Sequence, residues 1–164
     1  MTAHVVQLSR SRGGVPKLAI DEAVVTANGL EGDKQRDRRF HGGPMRALCL
    51  YSDDLIEQLN AEGHPVARGT LGENMTIRGL DWSGLRPGTH LTIGEVEVEI
   101  TSYAAPCKTI RGSFAGEEFK RIAQKLHRGW SRVYCRVLRP GTVRVNDPVS
   151  VVPASNHAEV QGAL

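Results

Sequence analysis

The feature that most constrains this sequence is a period of two. Glu95, Glu97 and Glu99 alternate with Val96, Val98 and Ile100, so an extended chain carries its carboxylates on one face and its branched apolar groups on the other. Such a segment buries one face and wets the other, which is what a sheet laid over a core requires. It follows His90–Ile93 across Gly94–Glu95, a hairpin-like turn. His4–Leu8, Glu22–Thr26, Ala47–Tyr51, Asn74–Ile77, Arg132–Leu138 and Thr142–Val152 read as further strands, the last two joined by a tight turn at Pro140–Gly141. Only two segments switch to the helical period. Ser52 caps an expected helix that opens with Asp53 and Asp54 and ends near Gly63. A second helix is expected over Gly116–Leu126, with Phe119, Ile122, Ala123 and Leu126 on one face and a Glu117–Arg121 pair on the other. Strands therefore outnumber helices eight to two, the signature of a mainly β barrel or sandwich with small helical insertions.

The chain has 164 residues, about one domain's worth, expected to run over 1–153 with a frayed tail over 154–164. Its eight aromatic residues leave little for stacking against bases, so no nucleic-acid partner is expected. The formal net charge of +3 is mild. The glycines match neither G-x-x-x-x-G-K-[ST] nor G-x-G-x-x-G, and G-x-S-x-G is missing, which argues against nucleotide-binding loops and serine hydrolases. Cys49, Cys107 and Cys135 show neither disulfide nor zinc spacing. With no signal peptide or membrane-length apolar run visible, a reducing cytoplasm is the expected setting, without a membrane.

Two places break the regular pattern. Gly29–Gly43 reads as a fifteen-residue polar loop carrying Lys34, Arg36, Arg38, Arg39 and His41, and Ala104–Ser113 follows the best strand. Cys107 is the sharpest single candidate. It follows Pro106 and is flanked by Lys108 and Arg111, cations that favour the thiolate, the nucleophilic and soft-metal-ligating form. Cys49 and Cys135 sit among apolar strand residues and read as core. His41, Gly42 and Gly43 permit close backbone approach to a ligand or simply turn the chain. Glu73 and Asn74 form a polar corner suited to holding a neighbouring loop through side-chain to backbone bonds. A basic stretch from Lys120 to Arg132 suits an anion or is a solvated face.

Taken in order, G-D at Gly32–Asp33, H-G-G at 41–43, G-E-N at 72–74, P-C at 106–107 and a final strand pair resemble the MOSC domain, named for the C-terminus of molybdenum cofactor sulfurase. The likeness spans 29–152, and the length is that of a small stand-alone member. The resemblance implies a β-barrel-like fold with two or so short helices. It also implies a pyranopterin molybdenum cofactor, with Cys107 as molybdenum ligand or sulfur carrier. Lys34, Arg36, Arg38, His41, Gly42, Gly43, Glu73, Asn74, Lys108, Arg111 and Arg132 are the expected surroundings of that cofactor. Some relatives reduce N-hydroxylated compounds, so a molybdenum-dependent reductase is one expectation, with a separate electron-transfer or sulfur-donor protein as partner. A metal-free thiol sulfur acceptor and a non-catalytic anion-binding module are the alternatives. The pyridoxal phosphate of fused relatives has no recognisable lysine site here.

Overall fold

The structure, a computed structural model, describes residues 2–34 and 43–153. Its first strand, β1 (His4–Arg10), pairs antiparallel with β2 (Leu18–Ile20) through its C-terminal half. Then come β3 (Glu22–Thr26) and the two-residue β4 (Gly29–Leu30). After a single 3-10 turn at Pro44–Arg46, β5 (Leu48–Ser52) leads directly into helix α1 (Asp53–Ala61). The helix starts where the sequence says it should: Ser52 is extended, and its Oγ accepts a hydrogen bond from the Leu55 N–H at 3.1 Å. Ile56 and Leu59 turn inward, and Gly63 closes the last turn at φ 98°.

The helix returns the chain so that β6 (Met75–Arg78) lies parallel to β5, a pairing that needs such a crossover. The long hairpin follows, β7 (His90–Ile93) and β8 (Val96–Ala104), with Val96, Val98 and Ile100 fully buried. β9 (Arg132–Arg139) inserts between β8 and β5. β10 (Gly141–Arg144) and β11 (Val149–Val151) end the described fold. The main sheet has the order β11-β7-β8-β9-β5-β6-β1-β2, and a smaller one has β10-β3-β4. Together they enclose a core built around Leu8, Leu48, Leu50, Tyr51, Met75, Ile77, Leu91 and Ile100.

The fold is mainly β, but the barrel is not closed. The free edge of β1 is divided: Leu8–Arg10 takes β2, while Ala3–Val5 meets Asp147–Val149 through an isolated His4–Pro148 bridge and two flanking backbone bonds. One bridge beside a register shift at Val5–Gln7 is not a ladder.

Several sequence expectations are corrected. Gly116–Leu126 is not a helix; the segment is a series of 3-10 turns, Lys108–Ser113, Ala115–Glu117 and Phe119–Ile122. Gly116 and Glu117 both adopt φ near +60°, which breaks the i to i−4 ladder, and Leu126 is exposed instead of buried. Glu117 consequently faces Arg111, whereas Arg121 forks onto Glu62 at 2.8 and 2.9 Å and stacks over Trp130. Thr142–Val152 is two strands, because Asn146 turns at φ 78° and Pro148 lacks a donor. Nor do the strands flanking Pro140 pair with each other, since β10 leaves for β3. The expected loop at Gly29–Gly43 begins with β4, and the expected tail at 154–164 lies outside the described residues. Among the described residues no helix is long and apolar enough to cross a membrane.

Candidate functional site

Two of the four signatures meet beneath the strand that carries Cys49. Asn74, fully buried, stands just before β6 and acts as an extra rung for β5. Its Oδ1 accepts from the Cys49 N–H at 3.0 Å, and its own N–H donates to the Cys49 carbonyl at 2.7 Å. Its Nδ2 donates to Asp33 Oδ2 at 2.9 Å, which ties the G-E-N corner to the G-D turn. Asp33 in turn holds Lys17, whose ammonium lies 2.7 Å from both carboxylate oxygens; these side chains are 5% and 4% exposed. The Ser11 N–H completes the set at 2.9 Å. Glu73 accepts from the Gly69 N–H and the Thr76 hydroxyl through Oε2, while Oε1 is buried without a partner. Gly69 is obligatory here: at φ 85° a Cβ would stand 2.4 Å from the Lys17 carbonyl oxygen.

The third signature, P-C, lies across β9 from this corner. At Ala104 the β8 ladder ends, and Ala105, Pro106 and Cys107 leave the sheet. Arg132, the first residue of β9, is 6% exposed. Its Nη2 donates to the Ala105 and Ala104 carbonyls at 3.2 and 3.5 Å, and its Nη1 to the Leu71 carbonyl at 2.7 Å. Cys107 is half-buried and extended, and opens the Lys108–Ser113 turn with its Sγ 2.8 Å from Thr109 Oγ1. Lys108 and Arg111 are exposed beside it; Arg111 reaches back to the Lys108 carbonyl and toward Glu117.

Cys49, Ala104 and Tyr134 pack into a small buried cluster between the two halves. Burial pushes the Cys49 thiol up to about 11 against the pull of the Arg132 charge, and pushes the Tyr134 phenol up to about 12. The charges of Arg132 and Arg46 pull that phenol the other way. Arg46 lies over its ring, 5.1 Å from the centroid.

The other expected residues divide sharply. Gly43 adopts φ 90° and opens the Pro44–Arg46 turn, and Lys34 is exposed with its N–H on the Ser11 carbonyl. Arg36, Arg38, His41 and Gly42 lie outside the described residues. The basic stretch of 120–132 does not act as one face, because Arg121 is paired and Arg132 is buried. Sequence reasoning missed Lys17, Arg46 and Tyr134, and passed over Asp33 as a site member. The G-D turn was the one available signal for Asp33; nothing local distinguishes Lys17. Among the described residues no group of three or more His, Cys, Asp or Glu side chains is arranged to hold a metal ion.

Comparison with known proteins adds a lineage to this geometry. The chain is 28% identical over 155 residues to protein YiiM of Escherichia coli (strain K12), covering 91% of this chain and 68% of that protein. It is 29% identical over 134 residues to the uncharacterized protein YflK of Bacillus subtilis (strain 168), covering 79% of this chain and 59% of that one. It thus spans about two thirds of the first relative's length and less of the second. The crystal structure of YiiM from Escherichia coli superposes with a TM-score of 0.68 at 26% identity, over 93% of this chain and 70% of that one. That of the Bacillus subtilis YUAD protein gives 0.70 at 20% identity, over 92% and 96%, a likeness of fold alone. The MOSC domain model matches residues 37–150, and the chain belongs to the MOSC domain family.

Proposed function

We propose that this protein binds a pyranopterin molybdenum cofactor, with Cys107 as its molybdenum ligand or as a carrier of the cofactor's sulfur. The observation that carries this reading is the contrast among three thiols. Cys49 and Cys135 are buried and burial raises both, whereas Cys107 is half-buried just past a strand end and is followed by the exposed Lys108 and Arg111. The residues present fit such a group. A thiolate is the soft donor that a sulfur-rich metal favours, and a metal delivered by its own pterin dithiolene needs few protein ligands. Lys108 and Arg111, exposed near Cys107, would supply cations for the terminal phosphate, and Lys34, Arg36, Arg38, His41, Gly42 and Gly43 are the further residues that the family resemblance brings to it. Bound there, the cofactor would supply two-electron redox chemistry or a labile sulfur.

The chain's own residues then have definable tasks. Thr109 Oγ1, 2.8 Å from Sγ, can donate to a Cys107 thiolate and hold its direction. Asn74 and Glu73 hold the floor beneath the site through Cys49 and Gly69. In a reductase of N-hydroxylated compounds, electrons would come from a separate electron-transfer protein; in a sulfur carrier, the partner would be a sulfur donor. A non-catalytic anion-binding surface over 120–132 has less support, because Glu62 already neutralises Arg121.

The test is molybdenum and released pterin, measured on protein purified from a molybdenum-replete host. The wild type is expected to carry both, and Cys107→Ser to lose the metal while keeping its thermal midpoint. Wild-type metal content in Cys107→Ser would overturn the assignment of Cys107 as ligand. Wild-type protein that stays metal-free but takes up persulfide sulfur on Cys107 would select the carrier role.

A further inference from the structure

We propose that Arg132 is a positioning residue: its guanidinium bolts the Cys107 segment to the loop that precedes Glu73, and so sets where the thiol stands. The inference rests on the reading of Cys107 given above. Where β8 ends, the carbonyls of Ala104 and Ala105 lose the regular ladder that served the strand behind them, and Pro106 has no N–H to offer a neighbour. Arg132 faces Ala104 in the β9 register and reaches both carbonyls with Nη2. Nη1 of the same plane reaches Leu71, the residue before Gly72–Glu73–Asn74. The Ser131 hydroxyl lies between the Arg132 carbonyl at 2.7 Å and the Ala104 carbonyl at 3.3 Å, so it shares its one proton between them.

A cation that is 6% exposed and spent on three carbonyls is not placed to meet solvent. Its Nε is buried without a hydrogen-bond partner, and the Glu73 carboxyl that feels its charge is itself fully buried. A planar fork with divergent N–H groups can span two loops at once, whereas an ammonium on a flexible stem is a point donor. Charge alone therefore does not reproduce the contact; the fork does.

Arg132→Lys and Arg132→Met, in the full chain without metal, test this by amide exchange and by alkylation of each cysteine with iodoacetamide. Both variants are expected to exchange about tenfold faster in residues 69–72 and 105–110, the loss of roughly one buried hydrogen bond on each side. Cys107 alkylation should change by a similar factor in both, while Cys135, buried in the core, stays protected. Three results would overturn the proposal. Cys135 and Cys107 speeding up together would mean that Arg132 only supports the fold. Unchanged exchange in both segments would mean that no bolt exists. Full recovery of the wild-type Cys107 rate by lysine would mean that charge, not the fork, matters. Because none of these readouts uses metal, a wrong role for Cys107 shows up separately, in the metal content of Cys107→Ser.

Discussion

Asp33→Ala should be the most damaging single change outside the apolar core. Asp33 accepts from the Lys17 ammonium at 2.7 Å through both oxygens, from the Ser11 N–H at 2.9 Å and from Asn74 Nδ2 at 2.9 Å. Truncation leaves the Lys17 charge, 4% exposed, without an anion, together with an unpaired backbone donor at Ser11 and an Asn74 amide that keeps only its 3.4 Å bond to the Ser9 carbonyl. Breaking a buried pair by removing one partner costs about 3–5 kcal/mol, because the other charge stays desolvated. For a domain of this size each kcal/mol lowers the melting temperature by about 2–4 °C, so a fall of about 6–20 °C is expected. Urea unfolding followed by the fluorescence of Trp82 and Trp130 provides the measurement. Lys17→Met should cost less, since Asp33 keeps two donors. The double variant Lys17→Met with Asp33→Leu should recover much of the loss, as an apolar replacement of a buried pair often does. If Asp33→Ala costs under about 1 kcal/mol, the pair behaves like an exposed one and the reasoning fails.

Burial raises the Glu73 carboxyl above its ordinary range, despite bonds from Gly69 and Thr76. The folded chain therefore keeps a proton that the unfolded chain releases near pH 4, and the associated stability is lost as pH rises through the folded value. Glu73→Gln, which cannot titrate, should gain on the wild type progressively above about pH 4; parallel urea midpoints from pH 4 to 8 would contradict this. Ser52→Ala removes the acceptor for the Leu55 N–H and should cost about 1 kcal/mol in the same assay.

Much of the fold was legible because its signals are local. Glu22–Thr26 and His90–Ile93 are strands with the bounds that alternation assigns, and Ser52 caps its helix through a bond three residues long. The sorting of the thiols was legible too: Cys49 and Cys135 sit in apolar strands, and Cys107 follows a proline among cations. Where the reading of the sequence and the structure part, long-range contacts decide. The apolar spacing of Gly116–Leu126 suits a helix, yet burying Ile110, Phe114 and Ile122 against the sheet is achieved through tight turns with two left-handed residues. Pro140 reads as a hairpin turn, yet the strands beside it join different sheets.

Of this protein, the sequence by itself determined most of the extended segments, where the helix at Asp53–Ala61 begins, and which cysteine leaves a strand among positive charges. Each of these depends on residues within a turn or two of one another. Only the tertiary structure decided that Arg132 is a buried fork rather than an exposed cation, and that Lys17, Asp33 and Asn74 form one network across 57 residues of chain. It also decided that the sheet stays open beside His4. Desolvation and hydrogen-bond geometry set those outcomes, and both depend on which distant segments pack together, a property that no local pattern encodes.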